Sequence, residues 1–227
     1  MKLKYQKIYI FVLFFLVLAS LNAASYTGSL SVSDGSLIAT GLWDNPLTNI
    51  MWQVDDTTSP GLWHYEYRLV TVTKAISHWI IEASDGSPGP AFTLANLFNI
   101  ITQPIGWIDD LEVKNHPGLV NPNPYMPSDM YGIKFDSAIN ATTLTLAFDS
   151  DRIPVWGDFY AKCGATAGII NTVYNAGFLI LDPIDPVTNG TIFNHIIVPD
   201  SQPVPEPSTV WMALIALGFV FRFYVKK

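Results

Sequence analysis

The sequence predicts an all-β protein: an antiparallel, jelly-roll-like β-sandwich ectodomain between an N-terminal signal peptide and a C-terminal transmembrane helix. Three observations predict it. Apolar residues recur at every second position in several short runs, the period of a half-buried strand. Turn dipeptides separate those runs: Asp34-Gly35, Asp85-Gly86, Pro117-Gly118 and Asn189-Gly190. No sustained amphipathic helical pattern occurs between residues 25 and 202. Short strands of this kind each bury one face, and two sheets packed together satisfy them all.

The first element is residues 1–24, which read as a secretory signal peptide. Lys2, Lys4 and Lys7 form a basic start, Ile8 to Ala19 are twelve consecutive apolar residues, and Ser20 to Ala24 supply small residues for cleavage after Ala23 or Ala24. Twelve helical residues span roughly 18 Å, too little to cross a hydrocarbon core of about 30 Å. The partners expected at this end are the Sec translocon and signal peptidase.

Strand patterns follow within residues 25–202. From Trp63 to Val72, Trp63, Tyr65, Tyr67 and Leu69 fall on one face, and His64, Glu66 and Arg68 on the other. Tyr131–Phe135 and Val155–Tyr160 are short strands, and Leu144, Leu146 and Phe148 alternate with Thr143, Thr145 and Ala147. Pro90–Ile101 suits either one helical turn or a strand. His116–Met130, with prolines at 117, 122, 124 and 127, is a long loop, of the kind that often carries binding.

Composition narrows the function. The chain has 227 residues, of which 14% are charged and 13% aromatic, too apolar for disorder. Within residues 25–204 six basic residues face eighteen acidic ones, a net charge of −12. Such a surface repels nucleic acid and anionic lipid. One cysteine, Cys163, excludes an intramolecular disulfide framework.

At the C-terminus, Val204-Pro205-Glu206-Pro207-Ser208-Thr209 precedes an apolar run from Val210 to Phe221, then Arg222, then Phe223-Tyr224-Val225 and Lys226-Lys227. Val210 to Val225 would span roughly 24 Å as a helix, with Arg222 and the lysines reaching the interface. The basic end would stay cytoplasmic. Prolines 203, 205 and 207 keep the preceding strip out of regular structure, as a processing enzyme requires.

This order of motif, apolar helix and basic tail resembles the PEP-CTERM sorting signal of Gram-negative bacteria. The resemblance covers residues 203–227; Arg222 within the apolar stretch departs from the usual pattern. It implies that an exosortase recognises Pro205, Glu206 and Pro207, and that the chain is anchored in the inner membrane by its C-terminal helix before processing. It implies a final place at the cell surface or in the extracellular matrix, in association with exopolysaccharide. Phe148–Lys162 and Tyr174–Phe178 also resemble ectodomains of other PEP-CTERM proteins, with no activity to carry over. The expected function is therefore a non-enzymatic exported surface or matrix protein.

Two alternatives stay open, and each has its residues. A carbohydrate-binding module would stack sugars on exposed aromatic faces, and Trp107, Tyr125 and Trp156 lie near turns. A secreted glycoside hydrolase would need two facing carboxylates, and Glu66, Glu82 and Glu112 are the ectodomain glutamates. No cofactor is expected beyond calcium, for which Asp149, Asp151 and Asp158 bracket one turn and Asp182, Asp185 and Asn189 another. A zinc site from His64, Glu66 and His78 would need two neighbouring strands in register. The hydrolase, phosphate-loop and dinucleotide fingerprints are absent.

Overall fold

The computed structural model describes residues 23–86, 89–137 and 139–203. The predicted signal peptide, except Ala23 and Ala24, and the predicted C-terminal helix lie outside the described residues. Among the described residues no helix is long and apolar enough to cross a membrane. The strands in chain order are β1 (Ser25–Ser31), β2 (Leu37–Ala39), β3 (Asn49–Asp55), β4 (Trp63–Val70), β5 (His78–Glu82), β6 (Leu97–Gln103) and β7 (Ile108–His116). β8 (Met130–Ser137), β9 (Thr143–Ser150), β10 (Arg152–Gly157), β11 (Phe159–Thr166), β12 (Ile169–Asn175) and β13 (Ile196–Pro203) follow.

They form a five-stranded sheet in the order β1-β3-β4-β9-β6, a six-stranded sheet in the order β2-β12-β11-β5-β8-β7, and a two-stranded β10-β13 pair. All the pairings are antiparallel. The predicted class is thus observed, as a sandwich-like pair of sheets. The region left between helix and strand is both in succession: Leu94–Asn96 makes one 3₁₀ turn and β6 begins at Leu97. The run predicted as one strand from Val155 to Tyr160 is two, broken at Asp158.

Alternation explains which side chains fill the space between the sheets. Tyr65, Tyr67 and Leu69 of β4 and Leu144, Leu146 and Phe148 of β9 are fully buried, whereas Glu66 and Arg68 face solvent. Tyr65 stacks on Phe148 with ring centroids 5.3 Å apart, and Trp79 of β5 meets Tyr67 edge-on from the other sheet. A buried phenol needs a partner for its O–H. Tyr65 Oη donates to Arg152 O at 2.7 Å and Tyr67 Oη to Ile197 O at 2.8 Å. A smaller apolar group lies on the outer face of the six-stranded sheet, where Ile80 and Tyr160 are covered by Met126 and Phe178 from two loops.

The short connections orient the molecule. β4 ends at Val70 and β5 starts at His78; β8 ends at Ser137 and β9 starts at Thr143. Those links join the sheets at one end. Trp63 and Ser150 of the first sheet therefore share the opposite end with Glu82 and Met130 of the second. The chain enters and leaves at that same opposite end. Ser25 pairs with Asp55, which pairs with His64, and Pro203 pairs with Arg152, two residues after Ser150 along the chain.

Candidate functional site

The residues singled out in the sequence scatter more than they converge. Trp107 is fully buried and donates its indole N–H to Thr145 O at 2.9 Å, and Trp156 is 2% exposed in the main core. Neither offers a face to a sugar, which corrects the stacking assignment; burying a large aromatic stabilises the sandwich more than exposing it. Tyr125 does face solvent.

The aspartates of the proposed calcium turn go to separate partners. Asp149 accepts hydrogen bonds from Ser59 Oγ at 2.6 Å, Asn99 Nδ2 at 2.6 Å and His64 Nδ1 at 2.7 Å. Burial opposes its charge, but these bonds outweigh burial and lower its pKa. Asp151 holds Asn96 Nδ2 and pairs with Arg152. Asp158 lies with a different set of groups, so the three do not form one site. The zinc set does not assemble either: His64 and Glu66 sit on β4 of the first sheet and His78 on β5 of the second. Cys163 is buried and its thiol pKa is raised by that burial, the opposite of a reactive thiolate.

What the fold does bring together is one member of each sequence cluster. Asp158 precedes β11, Asp182 lies in the loop after β12, and His195 immediately precedes β13. His195 Nδ1 is 2.9 Å from Asp158 Oδ1 and 3.3 Å from Asp182 Oδ1. Among the described residues these three form a group whose donor atoms lie within 4.8 Å of one another. Asn175 Nδ2 also donates to Asp158 Oδ1, while its own Oδ1 accepts from Phe159 N at 3.0 Å. Glu82, at the end of β5, completes the floor: its Oε2 accepts from Asp158 N at 2.7 Å. Gly157 makes this approach possible, because a Cβ there would stand 2.9 Å from Glu82 Oε2 and 2.5 Å from Val198 Cγ2.

Above this floor is a pocket of about 400 Å³, walled by Ser128–Met130 on one side and Phe178–Asp182 on the other. Among the described residues its lining carries the carboxyl groups of Glu82, Asp129, Asp158 and Asp182 and no lysine or arginine. Crowded carboxylates repel, so protons are held longer. Burial first, then the charges of Asp182 and Asp158, raise the Glu82 pKa well above the usual range. Burial, then Asp158, push Asp182 up to about 6. Burial favours the neutral His195 ring, but the hydrogen bond and charge of Asp158, with Asp182 behind it, prevail and raise its pKa. Chemically the pocket can store protons, present a protonated carboxylic acid, or accept a cation. Asp158, Asp182 and His195 are the residues that could ligate one.

The raised carboxyls set the sign of a pH effect. Between the unfolded pKa near 4 and the folded value near 6, the folded chain holds more protons at Asp182 than the unfolded chain does. Stability from this group is therefore present at low pH and lost as pH rises through that window. Asp182→Asn removes it. In urea titrations the variant is expected to gain on the wild type between pH 4 and pH 7; a gap independent of pH would contradict the assignment.

Sequence reading missed this pocket as a unit because its members are far apart: Glu82 and Asp158 are 76 residues apart, Asp158 and His195 37. The one local signal was Glu82 itself, a carboxylate closing the apolar run Trp79-Ile80-Ile81.

Together these features define an all-β domain whose acidic pocket lies at the end where the chain enters and leaves the fold. Residues 203–227 match the family model of the PEP-CTERM protein-sorting motif. The chain thus carries a PEP-CTERM sorting signal, and that signal marks an exosortase-sorted exported protein with a membrane-anchored C-terminus before processing. Comparisons with the curated proteins and with the solved structures found no match.

Proposed function

We propose that this chain is a non-enzymatic surface or matrix protein, exported as a precursor, processed at Pro205-Glu206-Pro207 and retained in association with exopolysaccharide. The observation that carries the reading is the sorting motif at residues 203–227. The fold supports it in one respect. β13 ends at Pro203, so the recognition strip begins two residues beyond the last strand.

Replacing Pro205, Glu206 and Pro207 by alanine in the full chain is expected to leave the fold unchanged and to block processing. The precursor should then stay at full size in the inner-membrane fraction. Processing and release as in the wild type would refute the role given to the motif. Exopolysaccharide association is read separately, by whether the processed form leaves the matrix fraction when the producing cells make no exopolysaccharide.

A second reading, a secreted glycoside hydrolase, is favoured by one feature: Glu82, a carboxyl with a raised pKa, borders a pocket next to Asp158. Release of reducing sugar from the host's own exopolysaccharide, abolished by Glu82→Gln, would replace the first reading with this one.

A further inference from the structure

The end of the sandwich that holds the pocket also holds a group of strongly exposed apolar side chains. After β12 the chain passes Glu82 and Asp158, with Asp182 beside His195. It then crosses to β1, where Asn189 Oδ1 accepts from Thr27 N at 2.8 Å and Gly190 N donates to Thr27 O. On this crossing Leu179 is 74% exposed, Leu181 90% and Ile184 98%. Leu119 and Val120, also exposed, follow the end of β7 at the same end of the sheet. An isolated exposed leucine is ordinary, but several on adjoining loops at one end mark a contact surface. Burial of Val187 in the main core and the bonds of Asn189 and Gly190 hold the crossing in place.

The chain beyond the fold says what covers that surface. Only residues 204–209 separate Pro203 from the apolar run that starts at Val210. Six residues reach at most about 20 Å. Pro203 leaves from the same end as the apolar loops, so a tail inserted in a membrane would keep the exit point within that reach of the headgroups.

We propose that Leu179, Leu181 and Ile184, with Leu119 and Val120, form a bilayer-contacting surface that dips into the interfacial layer while the tail is attached. The membrane it fits is zwitterionic, because Asp129, Asp182 and Asp185 lie among the apolar side chains and would be repelled by anionic lipid. The proposal rests on the membrane-anchored precursor.

The test uses the full chain reconstituted in phosphatidylcholine vesicles, with an environment-sensitive fluorophore on Leu181→Cys or, separately, Ile184→Cys. The control is Ile105→Cys, exposed in the link between β6 and β7 at the other end. Buried Cys163 is expected to take up no label in the wild type. Blue-shifted emission at positions 181 and 184, quenched by headgroup-level nitroxide lipid, with water-like emission at 105, is the expected result. Vesicles that float with the protein while positions 181 and 184 emit as in water would overturn the surface and leave the anchor standing. Protein that fails to float would overturn the anchor and the surface together.

Discussion

A chain ended after His195 is expected not to fold, whereas one ended after Pro203 keeps its fold. The difference is β13. Ile196, Ile197 and Val198 are at most 2% exposed and lie in the main core. Each fully buried aliphatic side chain contributes roughly 2 kcal/mol, so their loss removes about 6 kcal/mol, comparable with the whole stability of many domains, about 5–15 kcal/mol. Truncation also strips β10 of its partner and leaves Tyr67 Oη, which donates to Ile197 O, buried and unsatisfied. Circular dichroism and denaturant titration of the two truncations would decide it. A cooperative transition in the shorter chain would show that β13 is dispensable. The consequence for sorting is physical: the strand that completes the core directly precedes the processing motif, so cleavage beyond Pro203 leaves the fold intact.

The second large effect is acid sensitivity centred on His78. This ring is buried on the outer face of the six-stranded sheet. Lys162 on β11 and Asp136 on β8 stand beside it in register, and Tyr160 packs against it. Burial, then the charges of Lys162, Lys134 and His116, lower its pKa to about 3, with Asn123 acting in the opposite direction. Asp136 is 3.8 Å from Nδ1, but its carboxylate is already paired with Lys134. The folded pKa is therefore depressed. Stability is fully present above pH 6.5, and it is lost as pH falls toward 3, because only the unfolded chain then binds the proton. The slope is about 1.4 kcal/mol per pH unit, so on the order of 3 kcal/mol disappears between pH 6.5 and pH 4. His78→Gln is expected to flatten that part of the stability profile whatever it does to stability at pH 7. An unchanged slope would show that the imidazole is charged in the folded chain. The effect is opposite in sign to that of Asp182, which loses stability as pH rises.

Much of the fold was legible locally. Alternation placed Tyr65, Tyr67 and Leu69 on one face of β4 because strand geometry sends successive side chains to opposite sides. Nearness to turns, a different cue, misplaced two of the aromatics. Trp107 and Trp156 lie near turns in sequence, but nearness to a turn does not say which way an indole points, and both point inward. The long loop after β7 was read as a loop. That it folds back so that Met126 covers Ile80 and Tyr160 could not be read from its prolines.

The pocket shows the limit most clearly. Asp158 and Asp182 stood among turn aspartates that look alike in sequence. Asp149 became a hydrogen-bond hub for Ser59, His64 and Asn99, while Asp158 became the floor of a carboxylate cluster. The choice depended on the β11–β5 pairing and on the return of the chain through His195, which join residues 78 to 84 and 37 positions apart.

The strand period and the terminal sorting signal were legible locally, since both are written in neighbouring residues. Which aspartates meet, which tryptophans are hidden, and that the apolar loops share an end with the chain's exit became fixed only in three dimensions. Those outcomes follow from how two sheets stack and close, and burial, repulsion between charges and reach are properties of distances in space.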